Sequence, residues 1–162
     1  MSASVVTRAW DALAGVADPE LPTLSICDLG IVREVLDTEP GVEVVLTPTY
    51  SGCPATEVIQ ADARSALIAA GFSPVKLTLR RAPAWTSDWI SLVGLEKLRL
   101  AGVAAPGACA AQAPVHFVAR PPACPRCSSG DTEQLSAFGS TACKSLHRCL
   151  TCREPFERFK AI

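Results

Sequence analysis

Two C-x2-C pairs, Cys124-Pro-Arg-Cys127 and Cys149-Leu-Thr-Cys152, limit what the end of this chain can fold into. Each such turn presents two thiolates from one knuckle, and two knuckles complete a tetrahedron of soft ligands. Residues 128–148 lie between the pairs. A module this short has too small a core to fold unaided, so metal binding would supply the missing free energy. Leu135, Phe138, Leu146, Phe156 and Phe159 are expected to form a small sheet between and after the knuckles. This is the zinc-ribbon plan, with zinc as the expected ion. The same four thiolates could hold a single iron or an iron–sulfur cluster. Unligated buried thiols or a redox dithiol pair fit the paired spacing less well. His147 is expected at the surface, because four cysteines already close the shell. Cys143 is expected to be a plain buried thiol, with replacement of one of the four ligands or capping of a second metal as the alternatives.

Composition bears on the setting of this module. The chain has 162 residues, eight of them cysteine, and 49% are hydrophobic. That is enough to bury a real core beside a small module, so disorder is not expected. Lysine and arginine number 15 against 16 acidic residues, a net charge of −1. Such a balance offers no footprint for nucleic acid and no basic face for anionic lipid. No run reaches the roughly 18 apolar residues that cross a bilayer. Arg8 and Asp11 interrupt any leader-like apolar stretch, so a cytoplasmic location is expected. In that compartment disulfides are rare, which again favours ligation for the clustered cysteines.

Upstream, the apolar spacing predicts a helix over residues 4–16, ended by Pro19 and Pro22. Strands are expected over 31–36 and 42–46, joined as a hairpin through Pro40-Gly41. A helix over 55–70 follows, closed by Gly71, and then a strand over 75–79 running parallel to the second. A last helix over 90–101 should use Leu92, Leu95 and Leu98 to close the domain. The expected class is α+β or α/β: a small mixed sheet in the order α-β-β-α-β-α, packed against helices, followed by the all-β ribbon-like module. Residues 102–119 have the Ala/Gly/Pro-rich composition of a linker, with a lead-in strand over 115–119. The division is then 1–101, 102–119 and 120–162.

One stretch of the first domain stands out. Thr47-Pro-Thr49-Tyr-Ser-Gly52-Cys53-Pro54-Ala-Thr56 places Cys53 where a strand hands over to a helix. Pro54 suits a first helical position, which would put Cys53 at or near the N-cap. There the helix dipole favours a thiolate. A simple packing role near the cap is the alternative. The loops carrying Asp18, Glu20 and Asp28, and Trp85, Asp88 and Trp89, are polar enough to join a site, though Asp18 could merely hold a turn and the tryptophans could be core. If these loops share an edge with Cys53, the thiol would face carboxylates and suit transient binding of iron. The two histidines, His116 and His147, fall outside this domain, so a Cys–His catalytic couple is not expected. No Gly-rich phosphate loop and no Glu-x-x-His pair occurs. Cys27 and Cys109 read as packing or linker thiols.

These motifs together carry a resemblance. Asp18-Pro-Glu20-Leu-Pro22, Asp28-Leu-Gly-Ile-Val32, the Thr47–Thr56 stretch and Pro83-Ala-Trp85-Thr-Ser-Asp88-Trp89-Ile90 resemble the domain shared by iron–sulfur assembly accessory proteins. With Phe138-Gly-Ser-Thr-Ala-Cys143-Lys144 and Glu154-Pro-Phe156 added, the chain is similar to the PaaD family, the D proteins of the phenylacetyl-CoA epoxidase system. The resemblance implies a non-catalytic accessory or maturation factor that helps assemble or insert an iron or iron–sulfur centre. A structural component of the oxygenase complex is the alternative. It implies Cys53 as transfer ligand with Asp18, Glu20 and Asp28 as the family's acidic motifs. Thr49, Trp85, Asp88, Trp89 and Cys143 are candidates for client contact or for supporting the site. Epoxidase subunits or their maturation machinery are the implied partners, a homodimer is compatible with the sequence, and neither nucleic acid nor membrane is expected. Ser87 stands where the family pattern suggests a threonine, and the hydroxyl is kept.

Overall fold

The computed structural model describes residues 4–50, 52–107 and 121–161. Cys109, His116 and the strand expected over 115–119 lie outside the described residues. Two compact units are present, one of residues 1–85 and 89–94, the other of residues 86–88 and 95–162.

The first unit begins with helix α1 (Val5–Ala14). Ser4 caps it, its hydroxyl accepting from the Thr7 N–H at 3.1 Å, which satisfies one of the four unpaired donors at a helix start. Leu13 and Ala9 are its fully buried residues. Strands β1 (Val32–Asp37) and β2 (Val42–Leu46) pair antiparallel, Val35 opposite Val44. Gly41 makes the return with φ of +105°, and a Cβ there would sit 2.1 Å from the Pro74 carbonyl oxygen. Only glycine meets both demands.

Helix α2 (Thr56–Ala69) ends as its sequence predicts. Gly71 takes φ of +89°, Gly71 N–H donates to Ile68 and Phe72 N–H donates to Leu67. That pair of bonds is a Schellman cap. Strand β3 (Val75–Leu79) then lies parallel to β2, Leu77 beside Val44. The sheet order β1-β2-β3 is therefore mixed, with β2 central. Val42, Val44, Val45 and Leu46 of β2 are all buried, as a central strand requires.

Helix α3 (Leu92–Leu100) differs from its expected packing. Leu92 is 85% exposed, while Leu98 is fully buried. Gly94 takes the inner position instead. A Cβ there would stand 2.8 Å from the Asp28 carbonyl oxygen, so the backbones meet where a leucine would not fit.

The second unit is a four-stranded sheet, order β4-β7-β6-β5. Its strands are β4 (Val103–Ala104), β5 (Thr132–Ser136), β6 (Lys144–Cys149) and β7 (Pro155–Phe159). Strand β4 falls inside the stretch that reads as linker and pairs parallel with β7. Backbone pairing joins it to β7, and both of its side chains, Val103 and Ala104, are buried. The apolar set is also redistributed. Phe156 and Phe159 are buried, whereas Phe138 is 65% and Leu135 49% exposed. Lys160 covers the Phe138 ring at 4.3 Å.

Candidate metal centre

Each knuckle of the second unit is built by its backbone. Ser128 N–H donates to Cys124 O and Cys124 N–H to Ser129 O, both at 2.8 Å. In the second knuckle Cys149 N–H donates to Glu154 O at 3.0 Å. Ser128 (φ +61°) and Arg153 (φ +64°) directly follow Cys127 and Cys152. The left-handed turn that curls each knuckle is thus made by residues other than glycine, which is why composition does not announce it. Ser129 and Thr151 hydroxyls meet at 2.8 Å, and Arg126 pairs with Glu154 at 2.5 Å. These contacts tie one knuckle to the other.

The four sulfurs of Cys124, Cys127, Cys149 and Cys152 lie within 4.8 Å of one another. Cys124 Sγ is 3.8 Å from Cys152 Sγ, and Cys127 Sγ is 3.6 Å from Cys149 Sγ. A tetrahedral ion with sulfur bonds of about 2.3 Å has edges of about 3.8 Å. The donor set therefore fits a single ion. Cys124 and Cys149 are buried and Cys127 and Cys152 exposed. Cys152 N–H approaches Cys149 Sγ at 3.5 Å, and that backbone donor pulls the Cys149 thiol down to about 6. A thiolate is the form a metal takes.

His147 is not at the surface. It is 3% exposed, stacks on Phe156 at 5.6 Å between centroids, and meets the Ser145 hydroxyl at 2.9 Å. On strand β6 the residues alternate, so the face that carries Cys149 also carries His147 and Ser145 inward. Cys143 is buried, with Thr141 Oγ1 at 3.0 Å, and stands apart from the four-sulfur cluster. Sequence reasoning missed the buried Lys144, which pairs with Glu157 at 2.8 Å.

In the first unit Cys53 is half-buried. Its N–H donates to Tyr50 O and its carbonyl accepts from Thr56 N–H, each at 3.2 Å. The N-cap of α2 is Ala55, with no side-chain cap, rather than Cys53. Pro54 serves as the second residue of a turn over residues 53–56, so the helix starts later. Asp18 and Asp28 are buried and hold their own loops. Asp18 Oδ1 accepts from Glu20 N–H at 2.9 Å and Leu21 N–H at 2.8 Å. Asp28 Oδ2 accepts from Ser25 N–H at 2.9 Å. Glu20 and Thr49 are half-buried, and Asp88 is exposed. Trp85 is buried and its indole N–H donates to Leu29 O at 2.8 Å. Trp89 is half-buried under the Arg33 guanidinium, 3.6 Å from its ring.

Two protein families match along the chain. The family described as iron-sulfur cluster assembly protein matches residues 7–71, and the one described as PaaD zinc beta ribbon domain matches residues 108–160. A protein of Escherichia coli (strain K12), provisionally named as the D component of 1,2-phenylacetyl-CoA epoxidase, is 46% identical over 97% of this chain and 93% of its own length. The chain belongs to the PaaD family. Both the ribbon module and the first unit of this PaaD family member therefore have counterparts in one relative. An Fe-S protein maturation auxiliary factor of Porphyromonas gingivalis (strain ATCC BAA-308 / W83) is 35% identical over 49% of this chain and 76% of its own. Among solved structures, a conserved hypothetical protein from Thermotoga maritima matches with a TM-score of 0.52 at 31% identity, covering 60% of this chain and 98% of that one. A domain of unknown function from Bacillus anthracis matches with a TM-score of 0.54 at 25% identity, covering 57% and 90%. No helix among the described residues is long and apolar enough to cross a membrane.

Proposed function

We propose that the protein is a non-catalytic accessory factor of the phenylacetyl-CoA epoxidase system, and that it assists assembly or insertion of an iron or iron–sulfur centre in a client protein. The observation that carries this reading is the pairing, in one chain, of an iron-sulfur assembly domain with a ribbon module over nearly the full length of an epoxidase-system relative. In the proposed mechanism Cys53, half-buried on a turn, transiently holds the iron that is the cargo. Glu20, more accessible than Asp18 and Asp28, helps to receive it, while those two set the loops through their backbone bonds. Thr49, Trp89 and Asp88 supply contacts to the client, and the ribbon docks it. The four-cysteine site would hold one resident ion, zinc in this reading and a single iron as the alternative; sulfurs that share one tetrahedron favour a single ion over a cluster of several irons.

The test is a Cys53→Ser strain. Its client should be isolated with little iron and activity, while the variant itself folds and keeps its ribbon metal. A client with full iron would end the transfer role. Metal analysis of anaerobically purified protein should find one zinc per chain, and iron with sulfide at the same cysteines would overturn that assignment. The relative's name makes it a component of the epoxidase itself, which favours a second reading, a structural part of the oxygenase. That reading predicts stoichiometric co-purification with the oxygenase and a client unaffected by Cys53→Ser.

A further inference from the structure

A cavity of about 90 Å³ opens in the first unit among Arg33, Glu34, Thr47, Arg80, Pro83 and Trp89. Strand register assembles it. Val32 lies opposite Leu46 and Leu46 lies beside Leu79, so Arg33, Thr47 and Arg80 gather at one end of the three-stranded sheet. Thr47 N–H is bonded to Ile31 O and Arg80 N–H to Leu46 O, each at 2.8 Å. This is the end where β2 and β3 run out and their loops begin, the customary place for a ligand in a parallel layer.

Two groups there are not spent on folding. Thr47 is 1% exposed, and its Oγ1 is buried with no hydrogen-bond partner. A buried hydroxyl left unpaired costs free energy, so something polar is expected against it. Arg33 lies flat on the Trp89 ring at 3.6 Å. A guanidinium has five N–H donors, and among the described residues Arg33 spends one, on Gly30 O at 3.3 Å. Arg80 differs, being held by both oxygens of Glu34 at 2.6 and 3.0 Å. Two guanidinium groups against one carboxylate leave the rim positive. A single water needs only about 15 Å³, so a group of several atoms has room. A rigid, stacked guanidinium with a neighbouring hydroxyl donor is suited to paired oxygens.

We propose that this cavity is a binding site for a small oxyanion, a carboxylate or phosphate group, held by Arg33 and the Thr47 hydroxyl. The inference does not depend on the maturation role. It is tested on the full, metal-loaded chain by titrating sodium acetate and sodium phosphate, each against sodium chloride at matched ionic strength. The readouts are the NMR signals of the Thr47 amide and the Arg33 Nε–H. At least one oxyanion should give a saturable shift that chloride does not. The stronger of the two identifies the ligand as carboxylate or phosphate. Thr47→Val keeps the side-chain shape and should weaken binding about tenfold, while Arg33→Gln should abolish it. Shifts that follow ionic strength alone, or saturable shifts unchanged in Thr47→Val, would overturn the proposal. So would a crystal soaked in both anions that shows only an ordered water on Thr47.

Discussion

Gly30 shows how a single residue constrains the first unit. It adopts φ of +67°, and a Cβ would meet the Trp89 carbonyl oxygen at 2.5 Å, a backbone atom that cannot rotate away. Gly30→Ala should cost about 2–3 kcal/mol, from unfavourable backbone conformation and displacement of the Trp89 segment. A denaturant titration should show the lowered midpoint, and an unchanged midpoint would mean the segment shifts freely. Cys27 offers a chemical check. Burial, and secondarily the charge of Asp28, pushes its thiol up to about 12. It therefore stays protonated through neutral and mildly basic pH, where only the thiolate reacts. Iodoacetamide at pH 8 should leave Cys27 unmodified in the native protein and label it after unfolding, as read by peptide mass spectrometry. The sequence marked Cys27 as a packing thiol, and its half-buried place agrees. His147 went the other way, because its surroundings depend on β6 pairing with β7 across the sheet.

At the scale of elements, the clearest case is α2. Its apolar spacing, its Gly71 stop and its burial of Ile59, Ala63 and Leu67 all agree. Leu67 is fully buried. Leu67→Ala should cost about 2–5 kcal/mol through lost burial and the cavity left behind, measurable as a fall in unfolding free energy. A loss under about 1 kcal/mol would mean that the core closes around the gap. The start of α2 was less legible than its end. Proline is compatible with both a first helical position and a turn, and Cys53 carbonyl pairing with Thr56 decides for the turn. Likewise α3 has leucines at helical spacing, yet it presents Gly94 inward. The close approach of two backbones selects against bulk there, and no local pattern records that approach.

For the molecule as a whole, the candidate metal ligands are part of the packing of the second unit. One buried cluster there consists of Ala104, Cys124, Cys149 and Phe156, so two of its four members are candidate ligands. Removing the metal with a strong chelator under reducing conditions should unfold residues 121–161 first. The sheet of β1 to β3 should persist, since its core uses none of these cysteines. Hydrogen exchange followed by mass spectrometry would show the selective loss, and uniform protection after chelation would contradict it. Cys124→Ser should behave like the chelated protein.

Periodicity and punctuation along the chain determined the element order, because helix and strand patterns and glycine stops are local properties. Cysteine spacing determined the four-cysteine module for the same reason, since each knuckle is a local turn. The tertiary structure decided what depends on residues far apart. It placed β4 in the second sheet, buried His147 and Lys144, and turned Asp18 and Asp28 toward their own backbones. It also gathered Arg33, Thr47 and Arg80 at one sheet end. Register between strands sets that juxtaposition, and register is a relation between segments that no single stretch of sequence contains.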